Sequence, residues 1–355
     1  MAKKPLIPYK WEMIILLWFA YFFNQGDRQI YNVVLPLIKN DLLLSDVQLG
    51  LVVTIFTLCY AVLVPIAGYV GDIYRRKWVV FFSLLIWSTA TLFTGISTGI
   101  VILILFRGVA TGGGEAFYYP AANSLIGQYH HKTRALAMSI HQTSLYAGIV
   151  VSGFIAGFIG EHFGWRMAFY LFGILGILLA VILYFRLEDT PQPNHDPENT
   201  DAASERIPIS TVLKTIARKP TALMLCLAFG GMVFVNIGFM TWMPTYLHED
   251  FSLSLTMAGF DSTFYHYLFA FFGVLLGGQL SDYLAQKRRT IRMETECLGL
   301  LLGAPFIYLM GATDNILLCY VAMAAFGLFR GIYDSNLFAA LFDVIEPRVR
   351  ASAVG

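Results

Sequence analysis

The side chains in this sequence most able to do chemistry are charged residues that lie inside long apolar stretches. Asp27 and Arg28 are adjacent in the first stretch, and Glu115 lies midway along the fourth, directly after three glycines. Each charge at the centre of a membrane helix costs about 2.5–3.5 kcal/mol to insert. A buried carboxylate beside an arginine can hold a proton or act as the counter-charge. The pattern predicts an anion site at Arg28, with Asp27 and Glu115 as proton-coupling groups.

A structural role for the same residues stays open. Asp27 and Arg28 could tie the first helix to a neighbour, and Glu115 could be a neutral acid bonded to a carbonyl and needed only for packing. Consecutive residues on a helix point about 100° apart. We therefore expect Asp27 and Arg28 to meet different partners and not to pair with each other.

Other polar residues in the apolar stretches are candidate substrate contacts. Arg330, with Asp334 one turn on, is either a second anion contact or a local i,i+4 pair. Arg107, eight residues before Glu115, either joins the charged site or extends to the outer membrane surface. The neutral candidates, each of which could equally form an interhelical hydrogen bond, are Tyr31, Tyr119, His141, Gln142, Asn236, His266 and Asn336.

The residue spacings do not indicate an enzyme or a metal protein. We find no nucleophile–base pair, and no two cysteines share the spacing of metal ligands. All four cysteines lie in apolar stretches and read as small buried hydrophobes. We predict no enzyme activity and no cofactor, with H⁺ as the coupling ion.

The elements that position these residues follow from the composition. The chain is 57% hydrophobic and only 13% charged, whereas soluble domains carry about 25% charge. The apolar residues form blocks of the length that crosses a bilayer as a helix. We predict an all-α polytopic membrane protein with ten such blocks, near 12–37, 47–70, 78–97, 100–121, 135–159, 167–185, 220–246, 257–280, 292–311 and 316–341.

The distribution of basic residues predicts the orientation. If the blocks alternate across the bilayer, only Lys39 and Arg166 of the basic loop residues fall on one side. The excess on the other side marks the cytoplasm. We expect a cytoplasmic N-terminus, a bacterial inner (plasma) membrane location, the lipid bilayer and a small organic anion as partners, no nucleic-acid partner, and a monomer.

A loop pattern occurs twice and divides the chain into two halves. Gly68–Lys77 and Gly278–Arg289 each carry a glycine, an aspartate four residues on, and a basic cluster. We predict an N-terminal six-helix bundle at 1–185, a cytoplasmic linker at 186–218, and a C-terminal bundle at 219–355 with four helices. Arg350 matches Arg134, so the symmetry predicts that two further helices are missing. The gating residues expected at these loops are Asp72, Arg76, Arg134 and Asp282.

The duplicated loop resembles the signature of the major facilitator superfamily, roughly Gly-x-Leu-x-Asp-Arg-x-Gly-Arg-Arg. Gly68, Asp72, Arg76 and Lys77 fit it. Within the superfamily, Asn24–Arg28, Gly112–Asn123 and Phe163–Phe169 resemble the anion:cation symporters, which import sugar acids and other organic anions. The Spinster family of lysolipid exporters shares the Asp-Arg and Gly-Glu-Ala elements.

The resemblance implies a fold of two six-helix bundles, here cut after ten helices. It also implies that the matching Asp and Glu are the proton-linked carboxylates and that the matching Arg meets the substrate. Family members place an arginine seven residues before the glutamate, whereas Arg107 precedes Glu115 by eight. We predict a proton symporter that imports a sugar-acid-sized anion by alternating access. The alternatives are a Spinster-like lipid carrier and a membrane receptor that binds without transport.

Overall fold

The computed structural model describes residues 8–130, 133–188, 218–285 and 290–345, and in these ranges the chain is helical without strands. This confirms the all-α prediction. The long helices are α1 (Tyr9–Leu42), α2 (Asp46–Ile73), α3 (Arg76–Thr94), α4 (Ile100–Tyr129), α5 (Arg134–Phe163), α6 (Trp165–Arg186), α7 (Pro220–Glu249), α8 (Leu255–Ala285), α9 (Ile291–Ala312) and α10 (Ile316–Val344).

Helices α2–α10 are long and apolar enough to cross a membrane. Helix α1 has the length, at 34 residues, but the run from Asn24 to Gln29 makes its middle polar. Polar side chains in the middle of a membrane-length helix are costly unless they face the protein interior. Those of α1 do so, since Asn24, Gln25, Asp27 and Gln29 are all buried.

Helix α4 is not a regular α-helix. Its residues Ile104–Ala110 form a π-helix between α-helical segments. The N–H of Thr111 donates to the carbonyl of Phe106, five residues back, and the Thr111 hydroxyl donates to the same oxygen at 2.8 Å. A π-helical turn accommodates one residue more than an α-helical turn. The wide turn therefore changes which face of α4 the preceding side chains occupy.

The chain divides into two compact units. Unit 1 comprises residues 1–194 and 244–260, and unit 2 comprises 195–243 and 261–355. The core of unit 1 packs side chains of α1, α3, α4, α5 and α6 around Trp87 and Tyr118. Close packing around α4 depends on glycines. A Cβ at Gly112 would lie 2.8 Å from the Phe56 carbonyl, and one at Gly114 would lie 2.9 Å from the Trp87 amide. Glu115 is thereby held against α2 and α3.

A second glycine contact in unit 1 joins α5 to the first residues of α8. Gly153 faces Gly259, and Gly157 faces Leu255, so closely that a Cβ at either α5 glycine would clash with backbone of α8. One turn further along α5, the Glu161 carboxylate accepts hydrogen bonds from the amide and the hydroxyl of Thr256, at 3.2 and 2.7 Å. This carboxylate caps the first turn of α8 from a neighbouring helix.

Asp41, at the end of α1, forms an exposed ion pair. Arg166 Nη1 lies 2.5 Å from Asp41 Oδ2, and the Trp165 indole donates to the same oxygen at 3.1 Å. These hydrogen bonds hold the pKa of the Asp41 carboxyl below its usual value, and the bond from Arg166 has a larger effect than the bond from Trp165. The pair connects the end of α1 to the start of α6.

Unit 2 is built on a close contact between α8 and α10. Gly273 and Gly277 on α8, and Gly327 and Gly331 on α10, each face backbone of the other helix at distances that leave no room for a Cβ. The contact places His266 of α8 beside α10, because a Cβ at Gly327 would meet the His266 carbonyl.

Most of the predicted latch lies outside the described residues. The side chains of Asp72, Arg134 and Asp282 are outside them, as is 189–217, most of the predicted linker. Arg76 is described as the first residue of α3. The gating role of these four residues and the proposed domain boundaries stay predictions.

Candidate functional site

Arg28 and Glu115 form the central ion pair of unit 1. The Arg28 Nε donates to Glu115 Oε2 at 2.6 Å, with the glutamate side chain fully buried and that of Arg28 31% exposed. The other carboxylate oxygen, Oε1, is buried and has no hydrogen-bond partner in the described part of the chain. Arg28 thus has an open side, whereas Glu115 is enclosed and is bonded through Oε2 alone within the described residues.

Asp27 points to a different helix, as expected for the residue adjacent to Arg28. Its carboxylate is buried and accepts a hydrogen bond from Thr91 of α3, Oγ1 to Oδ2, at 3.0 Å. Its Oδ1 atom is buried without a hydrogen-bond partner among the described residues. Asp27 and Glu115 are close enough to interact electrostatically. The two acids predicted from the sequence therefore belong to one charged cluster.

Arg107 also belongs to this cluster, and the possibility that it extends to the membrane surface is wrong. Its side chain is only 5% exposed, and its Nη2 lies 3.4 Å from the Arg28 carbonyl oxygen. It interacts electrostatically with both Glu115 and Asp27. In a regular α-helix, an interval of eight residues would turn Arg107 about 100° from the position that seven would give.

The π-helical turn of α4 explains why Arg107 nevertheless reaches the site. The turn lies between Leu103 and Thr111 and takes up one extra residue, so Arg107 returns to the face that carries Glu115. The signal is present in the sequence. Arg107 lies one position further from Glu115 than the family pattern places its arginine. Such a shift inside an apolar helix is as consistent with a wide turn as with a lipid-facing side chain.

Aromatic rings from α2 separate the two arginines. The Phe56 ring centroid lies 5.1 Å from the Arg28 guanidinium carbon and 5.0 Å from that of Arg107. Tyr60 lies 4.7 Å from Arg28, and Tyr31 lies 5.3 Å from Arg107. Cation–π contacts of this kind stabilise a guanidinium that has left water. Sequence analysis missed Phe56, Tyr60 and Thr91, because nothing distinguishes them from other residues of apolar helices.

The cluster pairs two basic with two acidic side chains, but several of its atoms are not satisfied. Asp27 Oδ1, Glu115 Oε1 and Arg107 Nη1 are all buried without a hydrogen-bond partner among the residues the structure describes. Buried polar atoms in native proteins are nearly always paired. The unpaired atoms indicate a site that binds protons, water or a ligand.

The neutral candidates in unit 1 are placed unequally. His141 lies 3.1 Å from the Tyr118 hydroxyl, which itself donates to the Leu17 carbonyl at 2.7 Å. The Tyr118 proton is thereby used, so His141 Nε2 must carry the proton in its contact with Tyr118. His141 also stacks on Tyr21, with ring centroids 4.8 Å apart. These contacts support the interhelical alternative for His141.

The other three neutral candidates in unit 1 are Tyr31, Tyr119 and Gln142. Tyr31 is buried and donates to the Leu49 carbonyl at 3.1 Å, which leaves its ring as the part that faces Arg107. Tyr119 is exposed and lies 5.6 Å from Tyr21 between ring centroids. Gln142 is half-buried.

Unit 2 holds a second cluster around Arg330. Its Nη1 lies 2.5 Å from Asn236 Oδ1 and 2.8 Å from His266 Nε2. Because a guanidinium only donates, His266 accepts through Nε2 and is neutral. Asp334 forms a longer ion pair at 3.4 Å. Asn236, His266 and Arg330 were all predicted as contacts, and the structure brings them together. Asn336 instead donates within α10, to the Ile332 carbonyl and the Ser335 hydroxyl.

Within the described ranges, no group of three or more His, Cys, Asp or Glu side chains is arranged to hold a metal ion. The candidate site therefore consists of guanidinium, carboxylate and aromatic groups. These groups are suited to bind anions and protons.

Comparison with known proteins agrees with these features. The chain is 28% identical over 283 residues to the hexuronate transporter of Bacillus subtilis, covering 78% of this chain and 66% of that protein. It is 28% identical over 310 residues to the protein spinster of Drosophila melanogaster, covering 84% of this chain and 50% of that protein. The chain thus spans from half to about two thirds of the length of these two relatives. The name of the first states a transport function and no enzymatic one.

The fold has a solved counterpart. A bacterial homologue of the human lysosomal transporter Spinster, in an inward-facing and unoccupied conformation, superimposes with a TM-score of 0.85 at 26% identity, covering 98% of this chain and 78% of that structure. The profile of the Major Facilitator Superfamily matches residues 17–355. This multi-pass membrane protein therefore belongs to the Major Facilitator Superfamily.

Proposed function

We propose that this protein is a secondary transporter that imports a small organic anion of the sugar-acid type together with protons. The observation that carries the proposal is the Arg28–Glu115 pair, which is buried in a membrane protein beside a second acid, Asp27, and has unpaired carboxylate oxygens. The similarity to a hexuronate transporter supports the substrate class.

The coupling follows from the way Arg28 is compensated. A substrate carboxylate that binds the open side of Arg28 competes with Glu115 for the charge of the same guanidinium. A buried carboxylate whose closest cation is drawn away in this way is destabilised, even with Arg107 nearby. Protonation of the acid removes that penalty. Binding of the anion and binding of a proton therefore favour each other.

Asp27 and Arg107 complete this exchange. Asp27 is the second acid within electrostatic reach, and Arg107 lies between both acids and the aromatic residues of α1 and α2. When Glu115 is displaced or protonated, Arg107 is the remaining cation that can interact with Asp27. The cluster can thus shift between two pairings without exposing an unpaired charge.

Arg330 is the proposed anion contact of unit 2. Its polar contacts include the neutral groups of Asn236 and His266, and its ion pair with Asp334 is longer, so its positive charge is only partly compensated. We further propose that the N-terminus is cytoplasmic, that the protein resides in a bacterial inner membrane, and that Asp72, Arg76, Arg134 and Asp282 act in gating.

Uptake into proteoliposomes tests the proposal. A labelled hexuronate should accumulate when an inward pH gradient is imposed, and Asp27→Asn should abolish this accumulation while leaving exchange of internal for external substrate intact. Exposed Asp41→Asn is the matched control and should accumulate substrate normally. Unchanged accumulation by Asp27→Asn would remove Asp27 from the coupling.

The structural likeness to the Spinster homologue supports a second candidate function, that of a Spinster-like lipid carrier. The same liposomes distinguish it. Transfer of a fluorescent lysophospholipid without hexuronate uptake would support the lipid carrier. Hexuronate binding without flux under any gradient would support a receptor.

A further inference from the structure

A buried acid in unit 2 lies outside the Arg330 cluster. Glu296, the sixth residue of α9, is 3% exposed. Both of its carboxylate oxygens are buried and have no hydrogen-bond partner among residues 8–130, 133–188, 218–285 and 290–345. Neither the spacing of the sequence nor the proposed mechanism gives this residue a role.

The neighbouring helix presents a second unsatisfied group. Tyr333 of α10 is almost fully buried, and its hydroxyl likewise has no hydrogen-bond partner in the described structure. The close approach of the two helices is made at Gly299, where a Cβ would lie 2.8 Å from the Phe329 carbonyl and 3.1 Å from the Tyr333 amide. Glu296 is within electrostatic reach of the Tyr333 phenol.

The charged groups nearby do not neutralise Glu296. On α10, Arg330 is bound to Asn236 and His266 and forms its ion pair with Asp334. On α9, Glu294 accepts a hydrogen bond from Thr290, and Arg292 interacts with partners of its own. Within the described residues, Glu296 forms no ion pair.

An ionised carboxylate in this position would be buried without a cation or a hydrogen-bond donor. Such an arrangement strongly disfavours the charged form, so that buried acids of this kind are held neutral. A metal cation would need several oxygen ligands, and no group of three or more His, Cys, Asp or Glu side chains among the described residues could hold one. A proton is the ligand that needs no further coordination.

We propose that Glu296 is a second proton-binding site, located in unit 2 between α9 and α10, and that its proton takes part in the transport cycle. The proton comes from water and bonds to one carboxylate oxygen, and it is returned to water when the site becomes hydrated. The inference adds a proton carrier to unit 2 that is independent of Arg28, Glu115 and Asp27.

Infrared spectroscopy of the protein in lipid tests whether the proton is bound. Glu296→Gln should remove one protonated-carboxyl C=O band at pH 7. Glu294→Gln, which removes a more accessible carboxylate from the same turn of α9, should leave that band in place. Tyr333→Phe should also keep the band, because the phenol hydroxyl and the carboxylate are not hydrogen-bonded to each other. A spectrum of Glu296→Gln that retains every such band, or loss of the band in Glu294→Gln, would overturn the site as described.

The number of protons taken up per anion tests whether the bound proton is transferred. Uptake measured with labelled hexuronate and an internal pH-sensitive dye should give a lower proton-to-anion ratio for Glu296→Gln than for the unmodified protein. In Glu296→Gln, pH-driven accumulation of the anion is expected to weaken but to remain measurable, whereas in Asp27→Asn it is expected to be abolished. An unchanged ratio would overturn the transfer, and absence of uptake by the unmodified protein would instead contradict the proposed function while leaving the infrared test valid.

Discussion

The two units compensate their central arginines in different ways. In unit 1, Arg28 bonds at 2.6 Å to a fully buried glutamate, and Asp27 lies nearby. In unit 2, Arg330 bonds mainly to a neutral amide and a neutral imidazole, and its carboxylate partner is 3.4 Å away. Both arginines keep their charge at any physiological pH. Protonation of a buried acid changes the compensation of an arginine paired with it, whereas it changes little for an arginine held mainly by neutral groups.

This difference suggests a division of work between the units. Under the proposed function, unit 1 would link the anion to protons, because Arg28 becomes available when an acid is neutralised. The Arg330 cluster of unit 2 would supply a positive charge that does not depend on that step. Changes made in equivalent groups of the two units should therefore have unequal effects.

The largest effect is expected from Glu115→Gln compared with Asp334→Asn. Glu115→Gln removes the counter-charge of Arg28, which is 31% exposed, and should destabilise the protein by about 1.5–3 kcal/mol, with loss of pH-driven accumulation. Asp334→Asn removes a longer pair whose carboxylate is 36% exposed, and should cost less than about 1 kcal/mol and retain coupling. Thermal unfolding and proteoliposome uptake measure both properties. Equal losses in the two variants would contradict the proposed difference between the two units.

A smaller loss is expected for Arg330→Gln, which keeps a polar side chain but shortens it and removes the charge. Loss of one charge-assisted hydrogen bond to the anion corresponds to about 1.5–3 kcal/mol, or roughly a 10–150-fold weaker affinity. The shape of the pH dependence should stay the same, because unit 1 is intact. Titration of substrate binding at several pH values checks this. A changed pH profile with unchanged affinity would reverse the roles assigned to the two units.

Deletion of Val109 tests how unit 1 places its second arginine. This lipid-exposed residue lies in the π-helical turn. Its removal should convert the turn to regular α-helix, set the Arg107–Glu115 interval to seven, and leave Arg107 on the same face. We expect at least about half of the uptake to remain, because the deletion removes the one extra residue of the wide turn and keeps Arg107 facing Glu115.

Deletion of Ser124, in the α-helical segment Tyr118–Tyr129 of α4, is the control for Val109. It should rotate the preceding helix by about 100° and abolish uptake. Protection of a cysteine introduced at Arg107 from water-soluble thiol reagents, measured in both deletions, reports the face directly. Labelling of that cysteine in the Val109 deletion as readily as in the Ser124 deletion would show that the π-helix does not set the position of Arg107.

The smallest effect is expected for Asp41→Asn, which breaks an exposed pair in unit 1. The pKa of Asp41 is lowered in the folded protein. Its contribution to stability is therefore present above the unfolded pKa of about 3.9 and is lost as the pH falls through the folded value. We expect less than about 1 kcal/mol near neutral pH and no difference from the unmodified protein in strong acid. Denaturation in detergent at several pH values measures it, and a difference that grows as the pH falls would contradict the assigned pairing.

The sequence predicts the helices and the charged residues well, for a physical reason. Apolar blocks of membrane length and ionisable residues within them are conspicuous in composition, so Asp27, Arg28, Glu115 and Arg330 can be selected from residue types alone. What depends on three-dimensional packing cannot be selected in this way. Phe56 and Tyr60 lie against the guanidinium of Arg28 because of how α2 meets α1, and an aromatic residue in a membrane helix carries no mark of such a contact.

The π-helix and Glu296 illustrate the same limit. The placement of Arg107 depends on one unusual turn, which periodicity with a fixed angle per residue cannot represent. Glu296 lies near the start of its helix with charged neighbours in sequence, where a solvated position is the ordinary expectation. Only the packing at Gly299 reveals that its carboxylate is enclosed.

The glycine contact between α5 and α8 has a mechanical consequence. Where Gly153 meets Gly259, backbone touches backbone, and beside them the Phe154 and Phe260 rings pack edge to face with centroids 6.3 Å apart. Because the glycines contribute no side chains, the directional contacts between α5 and the start of α8 include this ring pair and the hydrogen bonds of Glu161 to Thr256. Loss of the hydrogen bonds from Thr256 to Glu161 should therefore weaken the contact between these two helices.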